Sequence, residues 1–515
     1  MLLALVLAQT LTVQVDALAD RHPIDPRIYG VNFASTEQLQ DLGAKLNRSG
    51  GNATTRYNWE QNASNHASDW YFETLEHGPE VPSQEVDSFV DETKAGGAEP
   101  MITVPIIGWV ARLGPNRRRT CSFSVAKYGL QQDTDWQWFP DAGNGRRPNG
   151  SEITGNDPHD ANMPVDSSFQ RPWIEHLVST RGVRYFVLDN EHTLWSFTHR
   201  DVRPAGATMD EIRQRMIDYA AMIKSVDPTA TVAGPEEWGW LGYLLSGYDQ
   251  QWAEENRNWS NTPDRIAHGG ADYLPWLLSE LHQRHIESGQ RLLDVFTVHF
   301  YPQGGEFSDD VSPAMQLRRN RSTRALWDPA YRDETWINDR VRLIPRLHEW
   351  VDTHYPGTAI GLTEYSWGAD HHMNGATAQA DVLGILGREG VDLAARWVTP
   401  ETGSPAYNAI KLYRGFGDIS VRATVPDPDN VAAFAAVRSR DGALTLMLIN
   451  KQLTTPAAMA IALANFASRG KVERWQLTGA GIQRLPDAES LTITLPAQSV
   501  TLLVVPHARK RRALR

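Results

Sequence analysis

Eight short apolar runs, spaced widely enough for a helix to return between them, constrain this chain more than any other feature. They begin at Tyr29 (YGVNF), Thr54 (TTRYNW), Met101 (MITVPIIG), Val183 (VRYFVL), Thr231 (TVAGPE), Asp294 (DVFTVHFY), Ala359 (AIGLTEY) and Leu393 (LAARWV). Strands buried on both faces read as near-continuous apolar runs, and eight of them with crossover-length connections predict an α/β fold, a closed (β/α)8 TIM barrel. The best-patterned crossover is MDEIRQRMIDYAAMIKSVDP, where Ile212, Met216, Tyr219, Ala220 and Ile223 share one helical face before Pro228 stops the helix. INDRVRLIPRLHEWVDTHYP predicts another, leading into the seventh run.

After Tyr413 the pattern changes to alternating strands joined by Gly, Asp and Pro turns, which predicts a small antiparallel β-sandwich. LTVQV from Leu11 is placed to complete that sheet. The expected division is an N-terminal strand (1–24) joining the sandwich, a barrel (25–415), the sandwich (416–508) and a solvated basic tail (509–515). The polar stretch from Ser122 to Phe169 reads as a long surface loop between the third and fourth strands. Its Trp136 and Trp138 are expected either to wall a cleft or to pin the loop.

The formal charge of −12 arises from 62 acidic and 50 basic residues dispersed along the chain, which argues against nucleic acid as a partner. Cys121 is the single cysteine, so neither an intramolecular disulfide nor a cysteine-rich zinc site can form. The start, MLLALVLAQTLTVQVDALA, reads either as a trimmed signal peptide, which makes an extracellular location the expectation, or as chain whose Leu11 to Val15 is the first strand of the fold. No later run is apolar and long enough to span a bilayer, so no membrane partner is expected, and the chain is expected to act as a monomer.

Two carboxylates at expected strand ends carry the chemistry: Glu191 in LDNEHTLW and Glu364 in GLTEYSWG. Acetal hydrolysis needs two acids in different environments, one to protonate the departing oxygen and one to attack the anomeric carbon. Glu191 is read as the acid and then base, and Glu364 as the nucleophile. Asn190 would hold a sugar hydroxyl beside the cleavage point or cap the strand. Arg56, taken to emerge from the second strand, would keep Glu364 ionised or tie loops together. Tyr301 would donate a hydrogen bond to Glu364 or pack. His299 faces the same rim if the register holds, a packed histidine being favoured over a metal ligand. Glu236 and Glu237 in TVAGPEEWGW stand at the next strand's end, where Glu237 is a second candidate acid, a hydrogen bonder in the cleft or an ordinary surface carboxylate. Trp59, Trp195, Trp238, Trp367 and Trp397 would offer aromatic faces to successive sugars, favouring an extended neutral polymer as partner. NDPHDANMPVD carries oxygen ligands enough for a structural calcium without a full EF-hand pattern.

YGVNFAS, TTRYNW, DWYF (Asp69 to Phe72), LDNEHTLW, DVFTVHFYPQ and GLTEYSWG together resemble glycoside hydrolase family 44 across the expected barrel. The resemblance implies retaining, endo-acting hydrolysis of β-1,4-glucans, often including xyloglucan, with no organic cofactor. It assigns the acid/base to Glu191 and the nucleophile to Glu364, and His192 stands where a proline is common. A retaining xylanase or mannanase, and a noncatalytic carbohydrate-binding protein, are the alternatives.

Overall fold

The computed structural model describes residues 10–508. The apolar start at 1–9 and the basic tail at 509–515 lie outside the described residues. Eight strands close into a parallel barrel: Gly30–Asn32, Leu46–Ser49, Glu99–Val104, Tyr185–Leu188, Thr231–Glu237, Val295–Phe300, Ala359–Tyr365 and Leu393–Arg396. Parallel closure puts all eight C-terminal ends on one rim, where barrels of this kind build their sites.

Seven of the eight predicted runs supply these strands; the second does not. TTRYNW holds a 3-10 turn over Thr54–Arg56, and the second barrel strand is the preceding LNRS, paired in parallel with Glu99–Val104 through Leu46↔Glu99 to Ser49↔Ile102. LNRS escapes an apolar-run criterion because Asn47, Arg48 and Ser49 are polar yet buried, bonded to groups inside the molecule.

The helix Met209–Val226 forms as its spacing requires. Thr208 caps it by accepting the Glu211 N–H, and Ile212, Met216, Tyr219, Ala220 and Ile223 are all buried. The second predicted helix is shorter than its run, Leu343–His354. Among the described residues no helix is long and apolar enough to cross a membrane.

The C-terminal β region is a ten-stranded sheet, antiparallel except where Leu11–Asp16 runs parallel to Ala457–Ala464. Leu11–Asp16 also pairs antiparallel with Ile419–Thr424, so the N-terminal strand joins this sheet. Val13, Val15, Leu446, Leu448, Met459 and Leu503 share its apolar core. By internal contacts the chain gathers into two compact units, 1–45 with 301–347 and 364–515, and 46–300 with 348–363.

Candidate active site

The loop after the fourth strand is built around Asp189. Buried behind the rim, its carboxylate accepts from the N–H of Ile107 (2.9 Å) and Ile106, from Thr55 Oγ1 (2.7 Å) and from its neighbour Asn190 N (2.9 Å). Burial pushes its pKa up to about 6, these donors opposing the rise. Anchored so, Asp189 (φ 65°) and Glu191 (φ 46°) both adopt the left-handed conformation that side chains other than glycine seldom take. The Glu191 N–H donates to Glu236 O (2.9 Å), fixing this loop against the fifth strand.

The fifth strand carries a bulge between Pro235 and Glu237 in its pairing with the sixth, and Glu236 (φ 62°) is the extra residue. A bulge interrupts the alternation of side chains, and both Glu236 and Glu237 are buried. Their environments are opposite. Burial would raise the pKa of Glu236, but Arg48 (Nη2 to Oε2, 2.8 Å) and His299 (Nε2 to Oε2, 3.0 Å) outweigh it and hold the group at about 2. Burial pushes Glu237 up to about 8, only partly opposed by Thr193, whose hydroxyl donates to it at 2.8 Å. One buried carboxyl is thus an anion at neutral pH and its neighbour an acid.

His299 joins Glu236 to Glu191. It is the penultimate residue of the sixth strand and fully buried, with Nδ1 2.9 Å from Glu191 Oε1 and Nε2 on Glu236. Arg48 Nη2 also donates to Asn190 Oδ1 (3.2 Å). The path Arg48, Glu236, His299, Glu191 is continuous through hydrogen-bonded atoms, and only Glu191 at its end is partly exposed, at 15% of its side chain. Gly50 is required beside it, because a Cβ there would lie 2.2 Å from the Arg48 guanidinium.

Two residues after His299, Tyr301 OH donates to Glu364 Oε2 at 3.0 Å. Glu364 lies in the seventh strand and is largely buried. Trp397, just past the eighth strand, is half-buried, makes an edge contact with the exposed Phe33 (5.8 Å between ring centroids) and precedes a cis peptide bond to Val398.

Several expectations are corrected. Arg56 does not face Glu364: fully buried, it holds Asp201 through both carboxylate oxygens (3.1 and 2.9 Å) and donates to Asn162, a loop-tying role. The arginine beside the reacting loop is Arg48, on the polar second strand Leu46–Ser49. Trp195 and Trp367 are core residues, their indole N–H groups bonded to Asn190 O (3.2 Å) and Ser322 Oγ (3.0 Å), so neither can offer a face to a sugar. Trp59, by contrast, stays partly exposed, its N–H donating to Phe169 O (3.0 Å) and its ring beside that of Phe169. Glu237 is fully buried rather than lining a cleft. Trp238 is partly exposed.

The expected calcium segment spends its carboxylates elsewhere. Asp157 accepts from His159 N, Asp160 pairs with Lys127 and Tyr128, and Asp166 caps the helix Ser167–Arg181. Trp136 and Trp138 of the long loop are exposed, 75% and 59%, so they do not pin it. Trp138 instead meets Trp70 at 5.8 Å, and Asp69 accepts from Asn52, whose Oδ1 accepts from Asn190 at 3.2 Å. An exposed aromatic pair therefore connects through three polar side chains to the loop bearing Glu191.

Residues 63–304 match the model of glycoside hydrolase family 44. Endoglucanase A of Paenibacillus lautus is 30% identical over 97% of this chain and 73% of its own length. CelM2, a bifunctional glucanase-xylanase protein from a metagenome library, has a solved structure 58% identical to this chain, covering 97% of it and 99% of CelM2 with a TM-score of 0.95. A Paenibacillus polymyxa xyloglucanase of family 44, solved with xyloglucan, is 27% identical over 97% of this chain and 100% of its own, with a TM-score of 0.78. The barrel, the carboxylates at its strand ends and these likenesses together make this chain a member of glycoside hydrolase family 44, a glycoside hydrolase.

Proposed function

We propose that the protein is a retaining endo-β-1,4-glucanase acting on cellulose-like glucans and xyloglucan, with Glu191 as acid/base and Glu364 as nucleophile. One observation carries the pairing: His299 and Tyr301 stand two residues apart at the end of one strand, the first bonded to Glu191 and the second to Glu364. His299 is the penultimate residue of that strand and Tyr301 the first residue past it, so one short stretch of chain holds both carboxylates, as a pair acting on one sugar ring requires.

In the first step the C1–O bond breaks as Glu191 gives its proton to the leaving oxygen and a Glu364 oxygen bonds to C1. In the second, Glu191 takes a proton from water, whose oxygen attacks C1 and releases Glu364, so the configuration is restored. Tyr301 orients the attacking carboxylate, and Asn190, held by Arg48, offers an amide to the sugar hydroxyl beside C1. This route uses no metal or organic cofactor. Trp70, Trp138, Trp238 and Trp397, each at least partly exposed, offer aromatic surfaces to further sugars. A polymer is met outside the cell, and we place the enzyme there, as a monomer.

Xylan is a second substrate to test, because CelM2 is described as a glucanase-xylanase. The test is a panel of carboxymethylcellulose, xyloglucan, xylan and mannan, with Glu364→Gln beside wild type and the anomer of the first product read by NMR. The expected result is internal cleavage of the glucans with retention, reduced at least about a thousandfold in the variant while binding persists. Binding without cleavage by wild type, or first products of inverted configuration, contradicts the proposal.

A further inference from the structure

Glu236 is a buried carboxylate that the two-carboxylate mechanism leaves unused. We propose that it is a positioning residue for proton transfer: by accepting a hydrogen bond from the Nε2–H of His299, it turns the bare Nδ1 of the imidazole toward Glu191. The inference rests on the reading of Glu191 as acid/base.

The geometry leaves little freedom. Glu236 Oε2 lies 2.8 Å from Arg48 Nη2 and 3.0 Å from His299 Nε2. The paired Arg48, itself fully buried, keeps Glu236 ionised, and an ionised carboxylate only accepts hydrogen bonds, so Nε2 must donate. With the imidazole neutral, as the proposal requires, one ring nitrogen donates and the other accepts, which leaves Nδ1 as the acceptor, 2.9 Å from Glu191 Oε1. A protonated Glu191 carboxyl satisfies that contact by donating to Nδ1. A Glu191 carboxylate does not, because two lone pairs then face each other. His299 so disposed favours the protonated acid before bond cleavage and sharpens the hunger of the carboxylate for a proton of water afterwards. The other groups around the imidazole are Glu237 on the fifth strand, His192 after the fourth, and Tyr243, whose hydroxyl donates to the His299 carbonyl. Tyr301 follows on the same strand end, bonded to Glu364.

Glu236→Gln tests this, because its amide can donate to Nε2 and invert the tautomer, so that Nδ1–H binds the Glu191 carboxylate instead. On cello-oligosaccharides the basic limb of kcat/KM is expected to move about one pH unit or more toward acid, with at least about a tenfold loss at neutral pH. On a dinitrophenyl cello-oligosaccharide, whose leaving group needs no proton, kcat/KM should fall less than about threefold. Equal losses on both substrates, or an unmoved basic limb, overturn the inference.

Glu191→Ala in the same panel separates the two readings. If Glu191 is the acid/base, that variant keeps kcat/KM on the dinitrophenyl substrate and its turnover is rescued by azide; if it fails there, the functional reading falls rather than the tautomer. Because Glu236→Gln strips Arg48 of its counter-charge and can cost the fold, a neutron structure of the deuterated wild-type protein gives an answer without mutation. Deuterium on His299 Nε2 with Nδ1 bare is expected, and deuterium on Nδ1 overturns the inference.

Discussion

Two buried arginine–carboxylate pairs lie in the same compact unit, Arg48 with Glu236 and Arg56 with Asp201, and they do different work. Both arginines are inaccessible to solvent, and each holds its carboxyl below the value that burial alone would give. Arg56 stands in the turn after the second strand and binds Asp201, Asn162 and, through Asp201, Ser122, all in connecting segments. Arg48 stands in that strand and feeds a path that ends on Glu191. Starting eight residues earlier in the chain therefore separates an arginine that staples loops from one that tunes a reacting group.

That contrast can be broken most forcefully by removing each arginine. Breaking a buried pair by deleting one partner costs about 3–5 kcal/mol, so Arg48→Met and Arg56→Met should both lower the denaturation midpoint. Only Arg48→Met should also lower kcat/KM per folded molecule, by about tenfold or more; equal specific activities would erase the distinction. The neighbouring Glu237 sharpens it through pH. With its carboxyl raised from 4.5 to about 8 in the fold, the folded chain keeps a proton that the unfolded chain loses above 4.5. The stability contributed by the neutral form is full below pH 4.5 and is lost as pH rises toward 8. Glu237→Gln should therefore gain Tm over wild type between pH 5 and pH 8, by the order of a few kcal/mol in stability; a constant difference in Tm would show that Glu237 is not a buried acid.

Tyr301→Phe removes one hydrogen bond to a carboxylate, about 1.5–3 kcal/mol, or roughly ten- to a hundredfold in kcat/KM, with Tm nearly unchanged. Smallest is Trp138→Ala, expected to raise KM for long glucans by about three- to tenfold, equivalent to roughly 0.5–1.5 kcal/mol of aromatic contact, and to leave short substrates alone. An equal effect on short and long chains would take Trp138 out of the binding surface.

The same contrast shows what could be read from the sequence. Seven barrel strands, the helix Met209–Val226 and the placement of Glu191, Glu364, His299 and Tyr301 near strand ends follow from apolar runs and helical spacing. LNRS could not be found that way, because its polar side chains are satisfied by partners distant in sequence, Asn47 by Thr93 and Arg48 by Glu236. TTRYNW mimics a strand in composition but folds as a turn whose Thr55 serves Asp189. Placing the second strand at TTRYNW brings Arg56, rather than Arg48, to the rim. Tryptophans were misread for a related reason: composition cannot tell Trp195, with its N–H bonded inside the core, from Trp138, open to solvent. The only sequence signal for Glu236 was its adjacency to Glu237, and separating their roles required the bulge.

In this mechanism Glu364 attacks and Glu191 protonates the same glycosidic bond, and the most direct test is to trap the covalent intermediate. Wild-type protein incubated with a 2-deoxy-2-fluoro cello-oligosaccharide bearing a dinitrophenyl leaving group, then digested and sequenced by mass spectrometry, should carry the sugar as an ester on Glu364, while Glu191→Ala should still become labelled. A label on Glu191, Glu236 or Glu237, or hydrolysis with inversion and no label, would contradict it.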